Sequence, residues 1–370
     1  MAYQGAAHPY GAPHGESHTD PSAEAPTGPP RAGVVPPPKK KSSRPAGLLV
    51  GSLIVLAVMG SATAGAFLLS DHSKNNKAGN TSGDSGTSNN NAASAGGAAG
   101  GFPTDPMLVR IDTKPGWPAK CYADIGLYTP GAAAAQTLVG GSACDALPER
   151  SPDRSKIAWT RKVGDKNQVW VMNADGSRQK MVTDKIAGGR VTWSPDSTRL
   201  AYMGKSGGVR QIYSITLGGT DAQALTTDAS DKDDPQWSST NRIAFWSKRD
   251  GVETIYSLDP DKPTQAWTKL TKDGVRAVDP EWSFDGSQIA YSRGAYPSGD
   301  IWVMGADGSS PRRLTKSSAH EMDPAWSRDG KWLCYVRGTW DKPRIRAIRV
   351  DGSGDRAVGP ADKDLGHPNW

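Results

Sequence analysis

A tryptophan returns along the chain at Trp193, Trp237, Trp282, Trp326 and Trp370, with spacings of 44, 45, 44 and 44 residues. A repeat of this length restricts the architecture more than any single element does. A unit this small cannot bury both faces of its own sheet, so neighbouring units must stack and share a core. The unit is clearest from Pro280 to Thr315: Pro-Glu-Trp-Ser-Phe-Asp-Gly, then Gln-Ile-Ala-Tyr, Asp-Ile-Trp-Val-Met, Ala-Asp-Gly-Ser and Arg-Arg-Leu-Thr. Its apolar runs are short, rich in β-branched and aromatic residues, and separated by Gly, Asp, Ser and Pro, as strands joined by tight turns are. The expected strands are Pro280 to Ser283, Gln288 to Arg293, Asp300 to Met304 and Arg312 to Thr315, with Asp285-Gly286 and Asp307-Gly308 as turns. Four-stranded units stacked radially into a ring protect their edges, so the fold class expected is an all-β propeller.

Full copies begin near Arg150, Arg190, Pro235, Pro280 and Pro324, and the chain ends on Pro368-Asn369-Trp370, the opening strand of a sixth. Met107 to Ile111, Ile125 to Thr129 and Gln136 to Val139 fit the missing second, third and fourth strands. The N- and C-terminal strands are therefore expected to pair and close six four-stranded blades over residues 105–370. The Arg150 copy departs from the pattern, with Arg at the Trp position, although Ser-Pro-Asp is kept.

All 13 Trp lie beyond residue 104. Residues 1–45 are rich in Pro, Gly, Ala and His, cannot bury enough apolar surface to offset folding entropy, and read as a disordered tail. Within it, Pro36-Pro37-Pro38 before Lys39-Lys40-Lys41 reads either as a solvated basic tail beside a membrane or as a polyproline ligand. Residues 46–69 run for 24 residues without a charge, enough for one transmembrane helix. Lys39, Lys40, Lys41 and Arg44 before it place the tail in the cytoplasm and the propeller outside, anchored in the plasma membrane as a single-pass protein. The alternative is secretion after signal-peptide cleavage at Ala62-Thr63-Ala64. Residues 70–104 form a Gly, Ser, Asn and Ala linker that would hold the propeller on the order of 30 Å from the membrane. The formal net charge of +6 divides into 7 basic against 5 acidic residues up to 104 and 37 against 33 beyond, too dispersed to imply nucleic acid. In an oxidising compartment, Cys121 and Cys144, which flank the third and fourth strands of the weak first unit, are expected to form a disulfide, and Cys334 a buried thiol.

The copies beginning at Arg190, Pro235, Pro280 and Pro324, as in Val191-Thr192-Trp193-Ser194-Pro195-Asp196 and Asp323-Pro324-Ala325-Trp326-Ser327, resemble the repeat of the TolB-like β-propeller family. The resemblance implies a six-bladed propeller in the cell envelope that binds other proteins and needs no cofactor. The protein that gives the family its name carries a separate α/β domain before the propeller, where this chain is expected to have a membrane helix and a tether.

The same repeat also resembles the propellers of prolyl-oligopeptidase-type hydrolases, so a nucleophile was sought. Gly204-Lys205-Ser206-Gly207-Gly208 matches Gly-x-Ser-x-Gly, but it falls in a hairpin between strands instead of a strand-to-helix turn. His320 and His367 are expected in equivalent loops before inner strands, near Asp323 and Asp364, as solvated residues with no metal spacing. The recurring Asp234-Pro235, Asp279-Pro280 and Asp323-Pro324 read as turns or caps, and no pair of carboxylates stands out at the ring centre. Binding is expected on the rim where the interblade loops meet the second-to-third hairpins, with Lys248, Arg249, Tyr296, His320, Glu321, Trp340 and His367 as candidate partner contacts. The function expected is a non-catalytic module for envelope proteins. The alternatives are an enzyme with a channel-centred site and a structural or sensory subunit of an envelope complex.

Overall fold

The computed structural model describes residues 101–116 and 120–370. The expected tail and transmembrane helix, and the linker up to residue 100, lie outside the described residues. Every regular element within them is a strand. The first three are β1 (Met107–Asp112), β2 (Ala123–Tyr128) and β3 (Gln136–Val139). The second blade holds β4 (Cys144–Arg150), β5 (Lys156–Val163), β6 (Lys166–Asn173) and β7 (Lys180–Thr183). The third holds β8 (Val191–Trp193), β9 (Arg199–Ser206), β10 (Val209–Thr216) and β11 (Gln223–Ala224), and the fourth β12 (Lys232–Trp237), β13 (Ile243–Ser247), β14 (Thr254–Leu258) and β15 (Thr268–Lys269). The fifth holds β16 (Ala277–Trp282), β17 (Gln288–Arg293), β18 (Asp300–Gly305) and β19 (Arg312–Arg313). The sixth holds β20 (Glu321–Trp326), β21 (Trp332–Thr339), β22 (Lys342–Arg349) and β23 (Arg356–Ala357), and β24 (Leu365–Asn369) follows. These make six four-stranded antiparallel sheets, and the first has the order β24-β1-β2-β3, so the chain ends close the ring as expected.

The repeated tryptophan has a definite task. Trp193, Trp282 and Trp326 each donate Nε1–H to the carbonyl of the last residue but one of the preceding blade's inner strand: Glu149 at 3.0 Å, Gln236 at 3.1 Å and Glu281 at 3.0 Å. The ring packs against apolar residues of both blades. Trp326, for example, lies with Ala290, Ile301 and Val303 of one blade and Leu333, Tyr335 and Ile348 of the next. Where Arg150 replaces Trp, its backbone N–H is held instead by Asn369 Oδ1 at 3.1 Å.

Three boundaries differ from the sequence reading. The inner strand of the fifth blade starts at Ala277, before the Asp279-Pro280 pair. Register shifts between Val278 and Glu281, and Asp279 takes φ 51°, so Asp-Pro forms a bulge inside the strand and no turn before it. A bulge suits proline, which has no N–H for the ladder. The outer strand of that blade shortens to Arg312–Arg313. The second blade begins at Cys144, not Arg150, which changes the meaning of the Cys121–Cys144 disulfide: with Cα atoms 5.4 Å apart, it ties the β1–β2 connection to the inner strand of the next blade. Cys334 is fully buried, and burial pushes its thiol pKa well up.

Candidate functional site

Because each inner strand runs antiparallel to its neighbour, its first residue lies beside the last of the second strand. Lys232 faces Ser247, Ala277 faces Arg293 and Glu321 faces Arg337. The interblade loops and second-to-third hairpins therefore emerge together on one face, here called the rim. Among the described residues, four of the six exposed large hydrophobic residues, Tyr122, Val163, Val275 and Tyr296, lie on it. The Gly-x-Ser-x-Gly match is part of the β9–β10 hairpin on this face, with Ser206 paired to Val209.

The rim candidates divide into a gathered group and a scattered one. Tyr296, exposed on the β17–β18 hairpin, meets the edge of the His320 ring with centroids 5.1 Å apart. Trp340, on the β21–β22 hairpin, stands 6.3 Å from the same ring and packs, as Cys121 does, on the cluster of Cys144, Ala146 and Leu147. Together they make an aromatic arc over the channel mouth, built by blades five, six, one and two. His320 is buried and not solvated: Gly299 N–H donates to its Nδ1 at 3.0 Å, and burial lowers its pKa. Glu321, expected as a contact, is fully buried and bound to Arg337 at 2.7 Å, so it supports the hairpin from within. Lys248 and Arg249 lie away from the arc on blade four. Lys248 pairs with Glu253 at 3.3 Å, and Arg249 lies 3.8 Å over the Trp267 ring and bonds Asp228 at 2.6 Å.

His367 sits elsewhere again. It is no loop residue equivalent to His320 but part of β24, at the bulge position three before the repeat Trp, where other blades carry Asp323, Asp279, Asp234, Arg190 and Leu147. These six positions form a layer across the channel. Arg190 reaches Asp323 at 2.9 Å, Asp234 at 3.5 Å and Asp279 at 4.0 Å, and His367 Nδ1 lies 2.8 Å from Asp323. Burial works against the Arg190 charge, but the three aspartates outweigh it and raise its pKa. Burial lowers the pKa of His367, opposed by Asp323.

A second layer comes from the residue just before the Trp: Glu149, Thr192, Gln236, Glu281, Ala325 and Asn369. Asn369 donates to Glu149 Oε2 at 3.1 Å, Gln236 Nε2 donates to Glu149 Oε1 at 3.5 Å and closely to Glu281 Oε2, and Thr192 donates to Gln236 Oε1 at 2.9 Å. A hydrogen-bonded chain thus crosses the ring. Burial pushes Glu149 up to about 7 and raises Glu281 well above the ordinary carboxyl range, the latter also through the Glu149 charge. Glu149, Arg190, Glu281, Asp323, His367 and Asn369 from the two layers line one narrow pocket. The structure corrects the expectation of no central carboxylate pair. Glu149, Arg190, Gln236, Glu281 and Asn369 were missed, although aligning the repeats on Trp reveals two columns of varied polar residues inside strands that should be apolar. Among the described residues, no three His, Cys, Asp or Glu side chains are placed to hold a metal.

The family model described as PD40, TolB beta propeller domain, matches residues 131–370. No curated protein matches the chain. Among solved structures, the chain is similar to TolB from Acinetobacter baumannii, with 18% identity and TM-score 0.61 over 72% of this chain and 65% of that one. It thus spans just under two thirds of that relative. It is also similar to a putative TolB from Agrobacterium tumefaciens, with 20% identity, TM-score 0.54 and coverage of 69% and 88%. A chain of a nidogen/laminin complex is 10% identical, with TM-score 0.56 and coverage of 72% and 98%. At these identities the likeness shows the fold alone.

Proposed function

The chain belongs to the PD40 TolB β-propeller family, and from that premise we propose that its propeller is a non-catalytic module that binds another protein of the cell envelope through the rim. The observation that supports this reading is the aromatic arc of Tyr296, His320 and Trp340. Aromatic side chains on a rigid base, beside a depression, are what interface hot spots are made of. Lys248 and Arg249 extend the same face as outlying contacts. The reading includes anchorage by residues 46–69, with secretion after cleavage as the alternative. Phe102 packs on Trp332 and Trp370 with ring centroids 5.0 Å and 6.1 Å away, at the end of the ring opposite the rim.

The test is photocrosslinking of the intact protein in its native envelope, compared with a Tyr296→Ala, Trp340→Ala variant. One envelope protein crosslinked by the first and lost with the second supports the reading; identical crosslinks from both refute it. A second reading, an enzyme working in the channel, is favoured by one observation, the Glu149 and Glu281 pair with raised pKa values. Turnover lost in Glu149→Gln while crosslinking persists would favour it.

A further inference from the structure

We propose that Glu149, Gln236 and Glu281 form a proton-dependent clasp across the channel. It holds blades two, four and five together while the two carboxyl groups carry at least one proton between them, and it parts when both ionise.

The geometry is a single amide between two acids. Gln236 Nε2 has two hydrogens and serves Glu149 on one side and Glu281 on the other, while its own oxygen is taken by Thr192. With one proton on the pair, the bridge joins an acid and a carboxylate through neutral donors. When that proton leaves, two negative charges share one amide, and the one further donor, Asn369, serves Glu149 alone. The neighbours give only partial relief. The layer beside the pair presents Asp234 from β12, Asp279 from β16 and Asp323 from β20 against one cation, Arg190 before β8, whose charge favours both carboxylates but is shared with those three aspartates. From β24, Asn369 donates only to Glu149, and His367 faces Asp323. Behind it on β1, Arg110 is bound to Asp112 at 2.7 Å. Like charges this close inside a protein cannot both persist at small cost.

The direction with pH follows. A carboxyl whose pKa is raised on folding holds its proton more tightly folded than unfolded. Its contribution is complete below the ordinary value of 4.5 and is lost as pH climbs through the raised folded value, about 7 for Glu149. Glutamine imitates the protonated acid and cannot ionise.

The test is the melting temperature of the full-length protein from about pH 4 to about pH 9, for the wild type and for Glu281→Gln and Glu149→Gln. Both variants are expected to match the wild type at the acid end and to exceed it by about 5 °C at the alkaline end. Amides of β4, β12 and β16 in the wild type should exchange faster there, while those of the outer strands do not. Curves that run parallel across the range, or an alkaline loss spread evenly over all strands, would overturn the clasp. Should a variant fail to fold, the carboxylic-acid C=O band in the infrared spectrum of the wild type decides: its persistence at neutral pH supports the clasp, and its absence overturns it.

Discussion

On the face with the first-to-second turns, blades repeat one another almost atom for atom. Ser151, Ser194, Ser283 and Ser327 each donate Oγ–H to the aspartate two residues on, Asp153, Asp196, Asp285 and Asp329, all at 2.6 Å. On the rim no two hairpins agree: Val163 and Lys166 on one, Lys205 and Ser206 on another, Tyr296 and Trp340 on two more. One sequence period thus builds both a face that four of the six blades share and a face that differs in each. The shared turn reports a requirement of folding that recurs from blade to blade. Variation on the rim marks positions that folding leaves open, and these are where recognition can be built.

The largest test of this division is Trp326→Ala. Its ring is buried between blades five and six, and its Nε1–H serves the Glu281 carbonyl, so about 3–5 kcal/mol of stability should be lost, read by denaturant unfolding. A small loss would mean that the repeated residues are not what holds the ring, and the comparison would fail. The disulfide challenges it from the other side. Cys121 and Cys144 sit on the varied face yet close a loop with a sequence separation of 23, worth about 3 kcal/mol in a chain-entropy estimate. Cys121→Ser with Cys144→Ser should lower stability by about that amount under oxidising conditions and make the protein indifferent to added dithiol. If it does, at least one rim feature serves folding, at the blade where Arg150 interrupts the tryptophan series.

Much of this fold was legible because its information is periodic. Spacing alone located the blades and the pairing of the chain ends, since β-strands of a repeat must find partners and only the terminal segments lacked them. The inner-strand starts were less legible. Asp279-Pro280 looks like a turn in isolation, and only the register shift beside it shows a bulge. The site was the least legible part. Glu149, Arg190, Gln236 and Glu281 are separated by 41, 46 and 45 residues and meet only because the ring brings one position of each blade to a common axis. Burial was also hidden: nothing local distinguishes exposed Tyr296 from buried His320 and Glu321, which differ through the hairpins that fold over them.

The next test sharpens the functional half of the comparison. Tyr296→Ala with Trp340→Ala should weaken partner binding by about 2 kcal/mol or more, on the order of thirtyfold, while the melting temperature falls by no more than a few degrees. Calorimetric titration of the crosslinked partner, once purified, measures the first, and thermal unfolding the second. Equal losses in both would mean that the arc is a structural cover for the channel mouth and that recognition lies elsewhere on the rim.

The smallest expected effect is on the turn face, where it separates the two roles most cleanly. Ser283 accepts the N–H of Gln288 at 3.0 Å through the same oxygen that donates to Asp285. These bonds, with the Ser287 contacts, hold the Asp285 pKa below its ordinary value. Ser283→Ala should cost about 1 kcal/mol, the worth of one such bond in a solvent-facing turn, and leave partner affinity unchanged. Since a carboxyl with a lowered folded pKa contributes its stability above its unfolded value and loses it as pH falls, the cost should shrink as the medium is acidified through that range. A cost that stays constant with pH would show that Asp285 is not the partner through which Ser283 acts. A change in binding from this face would break the division between a face that folds the ring and a face that uses it.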